Sequence, residues 1–201
     1  MANLPFNLFD VLLAVILVGG VVHGRKHGLS LELLSMAKWV TLLLVCALVY
    51  GPAGNLLAGT GLFDTLTCYI FAYLGTALLV FLLFSILERR WAPKLEGSDI
   101  FGRSEYFLGM GSGVLRFISM LLVGLALLNA REFTPTELKA MERYQEENYG
   151  SDLFPGLHSL QTAVFEHSFS GAFIKDDLGF FLIKPTIAND STPVAQARAA
   201  H

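Results

Sequence analysis

Four stretches of this chain are long and apolar enough to cross a bilayer, and only His23-Gly24-Arg25-Lys26-His27-Gly28 separates the first two. A membrane helix needs about 20 mostly apolar residues. The expected spans are residues 6–22, 29–50, 63–87 and 107–128. A soluble bundle would need a polar stripe along each helix, and these runs lack one. The predicted fold is an all-α membrane protein. Residues 1–128 form four transmembrane helices in two hairpins. An amphipathic helical tail spans residues 129–190, and residues 191–201 form a disordered end.

Composition agrees with that class. Hydrophobic residues make up 54% of the chain and charged residues 15%, whereas soluble domains carry about 25% charged residues. Mean hydropathy is +0.56. A net charge of −3 supplies no basic field for nucleic acid. Cys46 and Cys68 are too few for a disulfide scaffold or a cysteine-rich zinc site. No basic residue precedes the first run, so it reads as a retained helix rather than a cleaved signal.

Lysine and arginine near the spans set orientation. The first connection carries Arg25 and Lys26, and the third carries Arg89, Arg90, Lys94 and Arg103. The N-terminal stub and the second connection carry none. Alternation therefore predicts a cytoplasmic first and third connection, with both termini outside. Gly51-Pro52-Ala53-Gly54-Asn55 is expected to end the second helix, and Pro93 and Gly97 to stop a continuous helix in the third connection, residues 88–106.

The tail holds more acidic than basic residues. Thr134-Pro135-Thr136-Glu137 has the form of a capping box with proline at the first helical position, opening a helix to about residue 148. Leu157, Leu160 and Val164 recur at helical spacing and predict a second tail helix over 156–173. Such a tail can lie on the outer membrane surface or pack on the mouth of the bundle.

Ionisable side chains inside a span are costly and are candidates for function. Asp10, Glu32, Lys38 and Arg116 qualify. At 1.5 Å per residue, Asp10 lies about 21 Å and Lys38 about 15 Å above the first turn. That brings Asp10 and Lys38 within reach as an intramembrane pair. Glu32 lies about 6 Å deep and Arg116 about 14 Å deep, close enough for a second pair. The plainer readings are a helix-dipole role for Asp10 and snorkelling for Lys38 and Arg116.

Gly24, Arg25, Lys26 and Gly28 are read as a tight cytoplasmic turn. His23 and His27 would share a helix face, but the glycines argue against a regular helix there, so no metal site is expected. His158 and His167, nine apart, fall on opposite faces. Gly109 and Gly113 form a small-xxx-small pair suited to close helix packing. No phosphate loop, nucleophile elbow or His-Glu-x-x-His helix occurs. The expectation is a protein with no enzymatic activity and no cofactor.

Asn7-Leu8-Phe9-Asp10, then Gly24-Arg25-Lys26-His27-Gly28, then Glu32, follow one another in an order that resembles the colicin V production (CvpA) family of bacterial inner-membrane proteins. Trp39 falls where that family often has an aromatic residue, and Gly109, Gly113 and Arg116 match glycines ahead of a basic residue in the fourth span. The resemblance covers about residues 5–128. It departs from the pattern at Lys38, where a small residue is usual, and at Glu105-Tyr106, where an Asp-Arg pair is common. It implies a role in production or export of a peptide toxin, or in envelope homeostasis, from the inner membrane. The expected partners are the lipid bilayer and membrane or envelope proteins, with homo-oligomers left open. The competing expectation is an ion- or proton-coupled transporter or channel component built on the four intramembrane charges.

Overall fold

The computed structural model describes residues 7–95, 104–138 and 156–187. Its first helical run, Leu8–Ala58, is broken only at Gly28, where φ is 72° and ψ is 170°. That conformation is essentially restricted to glycine. The break divides the run into α1 (Leu8–Leu29) and α2 (Glu32–Ala58). Two further helices follow, α3 (Thr65–Leu95) and α4 (Glu105–Leu128). All four contain a stretch long and apolar enough to cross a membrane.

Local chemistry explains the boundaries. Asn7 caps α1: its side chain accepts the Leu8 N–H at 2.6 Å, while Asp10 Oδ2 accepts the Asn7 N–H at 2.8 Å. This is a reciprocal capping box. The second helix runs through Pro52 to Ala58 instead of ending near residue 50. Proline removes one backbone donor, but membrane helices tolerate such a loss when neighbours absorb it. Gly59 then caps the helix, donating to the Asn55 and Leu57 carbonyls. Asp64 begins α3 by accepting from the Leu66 N–H at 3.3 Å. Pro93 likewise does not break α3, which continues to Leu95; Gly97, named with it, lies outside the described residues.

The basic turn also differs from expectation. The helix continues through Gly24, and the reversal occurs at Gly28 alone. Gly24 is used for packing. A Cβ there would meet the Gly109 carbonyl carbon at 2.8 Å, and one on Gly109 would meet the Gly24 carbonyl oxygen at 2.5 Å. Gly20 and Gly113 make the next contact along the same seam. Helices α1 and α4 thus touch backbone to backbone, the arrangement that small residues permit. On the other side of the bundle, Gly54 of α2 packs against the Tyr69 ring of α3.

The tail sits at the bundle end opposite Gly28. Its start has the expected capping box, with Thr134 N–H donating to Glu137 Oε2 at 3.1 Å and Glu137 N–H to Thr134 Oγ1 at 3.4 Å. Helical residues follow to 138; the rest of that expected helix lies outside the described residues, as does the end expected to be disordered. The single tail helix expected over 156–173 is two, α5 (Leu157–Phe165) and α6 (Phe169–Asp177). Ser168 separates them by adopting an extended backbone and capping α6 through the Gly171 N–H at 3.0 Å.

The tail packs on the bundle mouth. Val164, Phe165, Ile174, Leu182 and Ile183 share one buried cluster with Phe9, Tyr50 and Leu66 of the spans. Asn129, which caps α4, donates to the Ile183 carbonyl at 2.9 Å, and Lys184 N–H donates to the Tyr50 hydroxyl at 3.3 Å. A two-residue parallel pairing, β1 (Arg131–Glu132) with β2 (Thr186–Ile187), completes the attachment. The outward faces of the spans remain apolar and exposed, with Val15, Val18, Leu78, Leu82 and Ile86 all more than half accessible. Such a belt suits hydrocarbon and would be a liability in water.

Candidate functional site

The reversal at Gly28 turns α2 back along α1, and the glycine seam holds α4 against both. Three polar side chains meet where these helices converge. Arg116 Nη1 of α4 donates to Glu32 Oε2 at 2.8 Å and to Oε1 at 3.0 Å. His23 Nε2 of α1 lies 3.3 Å from Glu32 Oε1 and 3.3 Å from Arg116 Nη1. The Glu32 side chain is 3% exposed, so its charge depends on these partners. An unpaired carboxylate in this setting would carry a large desolvation penalty.

The Glu32–Arg116 pair expected from depth is therefore present. His23 is an additional member that sequence reasoning weighed only for metal binding. Helical geometry up to His27 places that ring beside it, with ring centroids 4.2 Å apart and His27 Nδ1 3.0 Å from the His23 carbonyl oxygen. Among the described residues, no group of three or more metal-ligating side chains forms. Phe117 packs edge-on to His23 at 6.0 Å and lies under the Arg116 guanidinium at 5.8 Å. Arg116 Nε is buried with no hydrogen-bond partner among the described residues. Chemically, the cluster joins one acid, one permanent cation and one imidazole whose Nε2 can accept from arginine or donate to glutamate according to its tautomer.

The expected Asp10–Lys38 pair does not form. Lys38 Nζ is 2.9 Å from both Glu88 oxygens and 5.0 Å from the Phe81 ring centroid. Glu88 lies one residue beyond the third span expected from sequence, residues 63–87. Because α3 extends past it, the hairpin closing near Gly61 sets Lys38 and Glu88 almost level. Lys38 is buried, so this ion pair, rather than snorkelling to water, satisfies its charge. Asp10 faces the opposite end and is already saturated. Its Oδ1 accepts from Ser168 Oγ and from the Ser170 N–H, each at 2.9 Å, and from Ser170 Oγ. Asn7 Nδ2 adds a bond to the Ala163 carbonyl at 2.8 Å. Asp10 thus serves two ends at once, capping α1 and receiving the start of α6.

The cysteines are separate free thiols. Cys46 Sγ contacts the Tyr73 carbonyl and Cys68 Sγ the Phe63 carbonyl, each at 3.7 Å. His158 is stacked edge-on against Phe133 at 5.5 Å.

A family model described as Colicin V production protein matches residues 9–155. The chain belongs to that family. Neither a curated protein nor a solved structure matches it. The family match begins at Phe9, beside the capping box, and includes Gly24, Gly28, Glu32, Gly109, Gly113 and Arg116. It also extends beyond the fourth span, past the limit drawn from motifs alone. This family member is a multi-pass membrane protein. Its glycine seam joins α1 to α4, and the Glu32–Arg116 pair ties the same α4 to α2 just beyond the Gly28 reversal.

Proposed function

We propose that this chain is a non-catalytic inner-membrane protein that supports production or export of a colicin V-type peptide, or envelope homeostasis more broadly, through membrane or envelope partners. One observation carries the reading. Glu32, Lys38, Arg116 and Asp10 are each engaged by other residues of the same chain. Charges consumed in this way hold helices in register and leave an apolar outer belt for lipid or protein. Both termini are proposed to be extracytoplasmic, on the strength of the basic residues gathered at the Gly28 end.

The test is complementation of a deletion strain, scored by secreted toxin activity and by resistance to envelope stress, with partners recovered from native membranes by crosslinking. Failure of the chain to restore either phenotype overturns the role. Alkaline-phosphatase and fluorescent-protein fusions test the orientation; a fluorescent cytoplasmic reporter at Asn129 overturns it.

A second reading, an ion- or proton-coupled transporter component, draws on His23, a protonatable ring equidistant from Glu32 and Arg116. Proteoliposome flux that is lost in His23→Ala and Glu32→Gln would favour it. Absence of flux in the unmodified protein removes it.

A further inference from the structure

A groove of about 760 Å³ opens beside the α1–α4 seam, lined by Val22, Arg25, Lys26, Tyr106, Phe107 and Met110. We propose that it is a binding site for one anionic glycerophospholipid, with the phosphate on Arg25 and Lys26 and an acyl chain against Val22, Phe107 and Met110.

Its placement follows from the seam. Gly24 and Gly109 bring the helix axes so close that side chains beside the crossing form two facing walls. Val22 and Lys26 are four residues apart on α1, and Tyr106 and Met110 are four apart on α4, so each wall is one helix face. Val22 and Met110 lie deeper; the basic end of the groove, at Arg25 and Lys26, lies within a turn of the Gly28 reversal, and Tyr106 and Phe107 within a turn of the first residue of α4. That is the interfacial level of the two helices, where tyrosine is favoured and headgroups lie.

Charge decides the ligand. Among the described residues, neither Arg25 nor Lys26 takes part in a salt bridge, in contrast to Lys38 and Arg116 deeper in the bundle. Both are exposed. Basic pockets between membrane helices are recognised sites for anionic headgroups. Hydrophobicity then selects lipid over a free anion. Phe107 is 74% exposed and Val22 49% exposed; inorganic phosphate would leave both uncovered, whereas an acyl chain covers them.

The experiment uses the full chain in micelles of a neutral detergent, titrated with phosphatidylglycerol and read by native mass spectrometry for retained lipid. Each basic residue near an anionic lipid is worth about a fivefold change in affinity, so Arg25→Gln/Lys26→Gln is expected to bind about thirtyfold more weakly. Arg89→Gln/Arg90→Gln removes the same charge from the end of α3 and is expected to bind like the unmodified protein. Circular dichroism checks that each variant keeps its helix content, and the single variant Arg25→Gln, expected at about a fivefold loss, carries the test if the double variant does not fold. Phosphatidylcholine retained as strongly as phosphatidylglycerol overturns the proposal. So does an equal loss in the Arg89/Arg90 variant, which would report general surface charge, or displacement of the lipid by millimolar inorganic phosphate.

Discussion

Replacing Gly109 with alanine tests the seam that organises the bundle. The new Cβ would lie 2.5 Å from the Gly24 carbonyl oxygen and 2.9 Å from the Gly28 carbonyl carbon. These are backbone atoms, so no side-chain rotation relieves the overlap. Restoring van der Waals contact requires α1 and α4 to part by about 1 Å along the crossing. Overpacking of this kind costs about 1–3 kcal/mol. Alanine also gains about 1 kcal/mol of helix propensity over glycine, which masks part of the cost in a single variant. Gly111 supplies the control. It lies on the same helix, one position beyond Met110, and a Cβ there meets nothing within 4 Å. The propensity gain is common to both substitutions, so the stability gap between Gly111→Ala and Gly109→Ala reads the packing cost alone. Equilibrium unfolding in mixed micelles, followed by far-ultraviolet circular dichroism, measures that gap. The geometry further ranks the seam: Gly24→Ala and Gly113→Ala should be at least as damaging as Gly109→Ala. Gly20→Ala, whose Cβ would stand 3.1 Å from the Gly113 oxygen, should be milder. A Gly109→Ala protein as stable as Gly111→Ala would refute the close backbone approach.

Other outcomes follow from the same geometry. Gly28→Ala forces a side chain into φ 72°, ψ 170° and should cost about 1–3 kcal/mol, seen as a lower unfolding midpoint. Glu32→Gln or Arg116→Gln alone should each destabilise by about 3–5 kcal/mol by stranding the partner's charge, while the double variant costs less than their sum; a double-mutant cycle with no coupling would contradict the pair. Asp10→Ala removes the acceptor for Ser168 and Ser170, so hydrogen exchange should rise across α5 and α6 while the α2–α3 hairpin stays protected. Exchange unchanged in the tail would show that Asp10 does not hold it. Lys38→Met should leave that tail exchange unaltered, because Lys38 is bonded to Glu88.

The four spans were legible because a continuous apolar run of membrane length admits few structures in lipid. The helix ends were not. Pro52 and Pro93 are strong breakers in water, yet the structured helices pass both, since a bilayer penalises unwinding more than one lost hydrogen bond. The Glu32–Arg116 pair was legible from depth along the helix axis alone. The Asp10–Lys38 pair failed because depth says nothing about which neighbour stands closer or which way a side chain leans. Glu88 is not legible as its partner because the apolar run stops at residue 87 while α3 continues to Leu95. Ser168 and Ser170 were invisible as partners of Asp10 because they lie on a tail whose docking no local pattern reports.

Hydropathy and spacing thus dictate how many helices cross, which residues carry charge into the bilayer and where glycine permits contact. These are properties of single segments in an apolar solvent. The partner of each charge, the use of Gly24 for packing rather than turning, and the seating of the tail on the bundle are relations between segments far apart in the chain. They were settled only when α1, α2 and α4 closed around Gly28, because hydrogen bonds and ion pairs act over about 3 Å and depend on which surfaces folding brings together.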